Sequence, residues 1–397
     1  MPYTPPNVYY ASVFDGTYTK LDGIQSVSIS RGKSRFQDPT PVTKCSIELI
    51  PQSTYPAAIT IGQFIDIRDT NSGASSAYFV GQITDIERTY DIPYNAGTGF
   101  APGDRVTITV TGGTGVLGSG YGSSGFGSTV DATYSFMTGS MGVANVYAIT
   151  PANIGYVYGG GALPLPIGQN VIMPGLAPWL DTINETLNTV QYSMDDLDLN
   201  RVFKSNGFIN NVFAGVYFYP TGQTGVTLSF VDDGSTGASI YKYGLIQYAS
   251  SIQTAFRQVI VTSSLADQER TSGNAPFVGF TYSTLAATVT QAQQLGDYVL
   301  TVNSSTTPTP FTIGVNTAIQ DNIGELGKLA NCPIGTGVIV KFRGTTVNAT
   351  VCGISANYYP EYANMTLNLT PSLGTPFILD STAFGILDTN RLGYPSS

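Results

Sequence analysis

A mainly β chain with a mixed α+β middle region is what this sequence predicts, and three observations carry the prediction. Strict alternation of apolar and polar residues recurs near both ends of the chain, the pattern of strands with one buried and one wet face. The 397 residues include 45 Gly, 25 Tyr, 23 Pro and 19 Phe, a composition that suits twisted sheets joined by tight turns. In two places only, the apolar spacing widens to the helical period.

Taken in order, Cys45, Ile47 and Leu49 alternate with Ser46 and Glu48, and Ile65 and Ile67 alternate with Asp66 and Arg68, giving two strands. The loop Asp69-Thr70-Asn71-Ser72-Gly73 then leads into a run from Tyr78 to Ile86 as a hairpin. Arg105 to Thr111 alternates throughout, so residues 1–111 read as one antiparallel domain. The character changes at 112–128 (GGTGVLGSGYGSSGFGS) and again at 159–170, both rich in Gly. Residues 112–175 are read as a loop or insertion. The first stretch is either a mobile linker or, given Tyr121 and Phe126, a loop that orders against a neighbouring subunit.

Residues 176–300 form the mixed region. One helix is expected over Trp179–Val190, with Leu180, Ile183, Leu187 and Val190 on a shared face. A second begins at Thr288, where Thr288-Val289-Thr290-Gln291 has the form of a capping box, and its buried stripe is Ala292, Leu295 and Val299. Alternation returns in Phe311-Ile313-Val315, Val338-Val340-Phe342, Val347-Ala349-Val351 and Met365-Leu367-Leu369. The turn at Arg343-Gly344-Thr345 joins the middle pair, and 301–397 is the second β domain.

Charge and residue counts exclude several functions. Seventeen Lys and Arg against 26 Asp and Glu leave a net charge of −9, and the pI near 4.4 argues against groove-reading of nucleic acids. With 42% hydrophobic residues the chain can bury a core. No apolar run approaches the ~20 residues of a membrane helix, so no membrane insertion is expected. The start MPYTPPNVYY lacks a secretory leader's basic and apolar regions, which suggests a cytoplasmic protein or one exported by another route, such as lysis. The absence of histidine rules out Ser-His-Asp, Cys-His and His-metal chemistry. Cys45, Cys332 and Cys352 are too few and too far apart for a zinc ribbon or disulfide scaffold, and read as reduced, buried thiols.

No remaining motif carries chemistry. The glycine-rich stretches lack the G-x-x-x-x-G-K-[ST] phosphate loop. Asp196-Leu197-Asp198-Leu199-Asn200 begins like a calcium loop, but Arg201 stands where Gly is needed and Gly207 where Glu is needed. Asp195, Asp232, Asp233 and Glu185 could supply paired carboxylates for glycoside cleavage, yet 26 acids provide such pairs in any chain, and Asp232-Asp233-Gly234 reads as turn chemistry. Tyrosines could form sugar platforms, but most lie at strand spacing. The residues assign no catalytic, cofactor-binding or metal site and no cofactor. They describe a non-enzymatic, acidic, multi-domain β protein.

Three stretches together resemble a known family. Ile29-Ser30-Arg31-Gly32-Lys33-Ser34-Arg35-Phe36 precedes the strand Cys45-Ser46-Ile47-Glu48-Leu49. Gly62-Gln63-Phe64-Ile65-Asp66-Ile67-Arg68, Phe79-Val80-Gly81-Gln82-Ile83-Thr84-Asp85-Ile86 and Val106-Thr107-Ile108-Thr109-Val110 follow in order. Toward the C-terminus come Gly337-Val338-Ile339-Val340, Val351-Cys352-Gly353-Ile354 and the closing segment from Phe377 to Tyr394, the most specific of the set. These resemble minor tail and baseplate-hub proteins of long-tailed bacteriophages, especially those infecting actinobacteria. The similarity covers about 24–111 and, less evenly, 226–394; residues 112–225 match poorly, the arginine content is low, and no wall-degrading module is appended.

The resemblance implies two small antiparallel β-barrel-like tube domains flanking the mixed middle, and a structural, non-enzymatic virion protein of the tail tip assembled in the host cytoplasm. It implies a hub or adaptor joining the hexameric tube to the distal tip, its strands lining the DNA exit channel without binding the DNA specifically. The expected oligomer is a homotrimer, with a hexamer as the second reading. The expected partners are the distal tail protein, the tape measure protein and other tail-tip proteins. A six-copy distal or peripheral ring protein and a receptor- or glycan-binding tail protein are the alternatives.

Overall fold

The computed structural model describes residues 3–12, 18–35, 38–50, 59–70, 77–90, 101, 103–115, 132–136, 154–158, 169–173, 192–197, 214–220, 228–249, 258–262, 268–271, 279–284, 289–303, 309–320 and 326–371, with 180, 184, 188 and 323 singly. The closing segment 377–394, most of the glycine-rich stretch 112–128, the proposed cap Thr288, Glu185 and 198–200 lie outside these residues.

The first seven strands are β1 (Asn7–Ala11), β2 (Thr19–Leu21), β3 (Ile24–Gly32), β4 (Lys44–Leu49), β5 (Phe64–Arg68), β6 (Ala77–Thr89) and β7 (Arg105–Thr111). The alternation read from the sequence is what buries them: Cys45, Ile47 and Leu49, and Val106, Ile108 and Val110, are all almost fully enclosed. Asp66 departs from the expected wet face. It is buried along with Ile65 and Ile67, because Arg68 folds back onto it with Nη2 2.6 Å and Nε 2.8 Å from Oδ2.

Between the outer parts of the chain lie β8 (Ala132–Phe136) paired with β10 (Gln169–Met173), and a three-stranded sheet of β9 (Ile154–Tyr158), β11 (Tyr192–Leu197) and β12 (Ala214–Pro220). Next come β13 (Leu228–Val231), β14 (Ile240–Lys242) and β15 (Leu245–Ala249). A small α/β unit follows, made of β16 (Gln258–Thr262), β17 (Gln268–Thr271), β18 (Phe280–Ser283) and helix α1 (Val289–Asn303). The expected stripe of α1, Ala292, Leu295 and Val299, is fully buried against Val259, Val261 and Tyr282. Of the earlier helix, Leu180, Asn184 and Asn188 are described and helical. Leu180 is buried as expected, whereas buried Asn184 accepts from the Thr40 N–H at 3.2 Å. Asn188 donates to Ser283 O at 3.0 Å, so this segment ties the first strands to the α/β unit.

The chain closes with β19 (Thr309–Asn316), a short 3-10 turn (Thr317–Ile319), helix α2 (Leu326–Ala330), β20 (Gly337–Phe342), β21 (Thr345–Tyr358) and β22 (Ala363–Pro371). Arg343 and Gly344 both have positive φ, 47° and 81°. That is the two-residue turn whose twist matches a hairpin, and it joins β20 to β21 where the sequence placed it.

Hydrogen bonds link fourteen strands into one sheet, and its topology contains a repeat. The first seven strands lie in the spatial order β2-β1-β5-β6-β7-β4-β3, and the later set in the order β14-β13-β20-β21-β22-β19-β15. With corresponding strands numbered along the chain, the two orders are identical. The α/β unit is an insertion between the third and fourth strands of the second set. The sets differ in sense at one margin: β1 is antiparallel to β5, while β13 is parallel to β20.

The two sets join at β21. Residues 345–350 pair with β20, residues 353–358 pair with β3, and β22 occupies the opposite edge. At the changeover Val351 O accepts from Gly335 N–H (2.7 Å) and Cys352 O from Lys33 N–H (2.6 Å). A Cβ on Gly353 would sit 2.2 Å from Lys33 O, and one on Gly32 2.5 Å from Cys352 O. Glycine is required at both because the backbones touch there. One apolar core, from Val8 to Leu369, runs beneath both sets of strands.

Candidate functional surface

Side chains of directly paired residues project from the same face of a sheet, so the registers define a continuous surface. One row runs Leu245, Gly314, Thr366, Ser355, Ser30, Lys44, Thr111, Gln82, across β15, β19, β22, β21, β3, β4, β7 and β6. The adjacent row runs Asn316, Asn364, Asn357, Ser28, Ser46, Thr109, Asp85. Eight strands, four from each set, share this face.

Its chemistry is uniform. Hydroxyls and amides dominate, and they bridge strands: Ser28 Oγ donates to Asn357 Oδ1 at 2.6 Å, Asn316 Nδ2 to Asn364 Oδ1, and the Thr84 and Thr111 hydroxyls lie 3.3 Å apart. Charge enters on β4, β7 and β6, with Lys44 and Arg105 against Glu48, Asp85 and Glu87; Arg105 lies 3.9 Å from Glu48. The surface offers a polyanion no basic track and a base no aromatic platform.

Among the described residues, both margins of the face are open strand edges. Among the described residues β15 pairs only with β19. On β6 the edge opposite β7 is covered as far as Ile83, which exchanges hydrogen bonds with Gly62 and Gln63, and is open from Thr84 to Thr89. Exposed apolar side chains flank each margin, Leu245 and Ile319 at one and Ile61 and Tyr90 at the other.

Beneath the face, the β3–β21 joint is fixed by Arg31, whose buried guanidinium donates to the carbonyls of Ala330 and, at 2.8 Å, Cys332. Tyr78 stacks on Tyr358 across the same joint, ring centroids 5.2 Å apart. Lys33 has its amine in the interior, and burial lowers its pKa to about 8 against the opposing influence of Cys352 and Asp38. Cys45, Cys332 and Cys352 are free and buried, as expected; burial pushes the Cys352 thiol up to about 12.

Of the acids weighed for hydrolysis, Asp232 and Asp233 are held in local contacts around two turns. Asp232 accepts from the Arg343 N–H at 2.7 Å, and Asp233 accepts from Ser235 N–H and pairs with Lys341 at 3.2 Å. Hydrogen bonds from Ser235 lead in holding Asp233 near a pKa of about 2. Asp195 and Asp196 lie in β11. Among the described residues no group of three or more Cys, Asp or Glu could hold a metal, and no helix is long and apolar enough to cross a membrane.

No family model and no curated protein matches the sequence, but solved structures do. The 43 kDa tail protein of prophage MuSo2 from Shewanella oneidensis superposes with a TM-score of 0.58 over 94% of this chain and 99% of its own, at 12% identity. The chain has the fold of a phage tail protein. A tail protein from Neisseria meningitidis MC58 agrees, with a TM-score of 0.56 over 92% of this chain and 96% of its own, at 11% identity. The match extends over nearly the full length of this chain and of both tail proteins.

Proposed function

We propose that the chain is a structural hub or adaptor of the phage tail tip, a homotrimer whose eight-stranded polar face lines the channel through which DNA leaves. The continuous face bounded by two open edges carries this reading. Its strands alternate in direction, so β15 and β6 run antiparallel, and β15 of one copy can pair with β6 of the next about a rotation axis while the ladder stays antiparallel throughout.

Size selects the number of copies. Three copies bring about twenty-four strands, which at about 4.8 Å spacing make a ring about 37 Å across between backbones; side chains reaching about 5 Å inward leave about 27 Å for a DNA duplex. Strand tilt widens this somewhat. Six copies would double the ring. Because each chain supplies two four-stranded sets of the same topology, three chains present six similar units, which suits a threefold part beneath a sixfold tube. Residues 1–111 and the C-terminal strands are then the tube-facing domains, and the distal tail protein and tape measure protein are the neighbours expected above. The near-neutral face releases few counterions and so holds passing DNA weakly.

Native mass spectrometry of the purified chain tests this, with copies per particle counted in virions. Three copies support the hub. Six move the protein to a distal or peripheral ring, and a stable monomer at assembly concentrations overturns both.

A further inference from the structure

The β3–β21 joint holds a small cavity on its core side, beneath the polar face. Ile354 and Ala356 of β21 stand directly opposite Arg31 and Ile29 of β3, and these four line the cavity together with Tyr358, Tyr78 and Ala330 at the end of α2. Ala356 and Ala330 are short, and the stiff isoleucines and the stacked rings of Tyr78 and Tyr358 do not fill the space they leave. Its volume is about 10 Å³, close to the room one water molecule needs and too little for a phosphate or an organic ligand.

A cavity walled by apolar side chains alone stays dry. Two polar side chains in this wall are almost fully buried, Arg31 at 7% exposure and Tyr358 at 3%. The Tyr78 hydroxyl is committed elsewhere, donating to Asp69 Oδ1 at 2.5 Å. The Tyr358 hydroxyl is shielded from solvent and meets no hydrogen-bond partner among the described residues, a costly state for a buried polar atom. Burial first, and the nearby Tyr3 phenol second, raise its pKa, so it keeps its proton and can donate as well as accept. On the other side, Arg31 Nη2 donates to the Ala330 carbonyl, and a carbonyl oxygen offers two lone pairs. The guanidinium also disfavours any cation in the cavity.

We propose that this cavity is the binding site of one ordered water, which hydrogen-bonds the Tyr358 phenol and meets the polar groups of Arg31 and Ala330 on its other side. Such a water ties β21, β3 and α2 together at a single point, where the two strand sets join. The proposal is independent of the hub reading.

Crystallography of the full-length chain and of Tyr358→Phe, at a resolution that shows ordered surface waters, tests it, with magnetic relaxation dispersion of the solvent counting long-lived waters in solution. The parent should show density in the cavity within hydrogen-bond distance of Tyr358 Oη. Tyr358→Phe, which removes a single oxygen and keeps the ring, should lose that density and lower the dispersion amplitude by one long-lived water. Ala356→Val, which fills the space from its own wall, should expel the same water with the Tyr358 hydroxyl still in place. No density in the parent cavity would overturn the proposal. So would a water that either variant retains at the same position, or a dispersion amplitude equal in parent and Tyr358→Phe.

Discussion

Arg31 shows how one residue locks two parts of the chain. Its guanidinium stays charged at any accessible pH, so burial is tolerable only with acceptors around it, and the carbonyls of Ala330, at the end of α2, and of Cys332, just past it, supply them. Arg31→Met leaves those carbonyls unpaired and should cost about 2–4 kcal/mol in urea unfolding, with Arg31→Lys recovering part. Lys33, two residues on, has the opposite effect. Its folded pKa of about 8 lies below the ordinary lysine value, so the folded state binds its proton less well than the unfolded chain, and the penalty is full below pH 8 and fades toward pH 10.5. Lys33→Met should therefore be more stable than the parent at pH 7, with an advantage that shrinks by pH 9.5. A constant difference across that range would show that the amine is solvated.

Glycines at the element scale separate two physical causes. Gly344 has φ 81° and open space around it, so Gly344→Ala pays for conformation alone, about 1 kcal/mol. Gly353→Ala meets the Lys33 carbonyl at 2.2 Å and should cost about 3 kcal/mol or more, with loss of the β3–β21 pairing visible in hydrogen exchange. The strands around both glycines, the Arg343-Gly344 turn and the α1 stripe were legible because each depends on local periodicity or turn chemistry. Asp66 was not, since its burial rests on Arg68 folding back. The polar face was invisible for a related reason: Ser28 and Asn357 are 329 positions apart, and only register brings them together. The ring contact of Phe342 with Tyr248 likewise joins two separate stretches with no spacing to link them.

At the scale of the whole molecule, the family resemblance implied two β domains, but the seven-strand order that both sets share was not legible in the sequence. Pairing order carries that repeat rather than residue identity, and insertions of different length separate its parts. If the open edges join copies, Leu245→Lys, at an exposed edge position, should shift light-scattering mass from trimer to monomer while leaving the unfolding midpoint within about 0.5 kcal/mol of the parent. Replacing Ser28, Asn357 and Thr366 together with Lys should make the assembled protein retain duplex DNA at low salt, and the retention should fall steeply as salt is raised.

The β3–β21 joint has a consequence for closure. An edge-to-edge contact between unlike edges builds a circle only when the turn per step divides a full rotation; otherwise it winds into an open filament. If copies close a ring through their open edges, half of those steps are β3–β21 pairings within a single chain. In such a ring the angle set by Gly32, Gly353 and Arg31 would be inherited by every copy before any two copies meet, so the molecule would carry its own gauge of curvature, and a slackened joint would show itself as fibres rather than as unfolded protein.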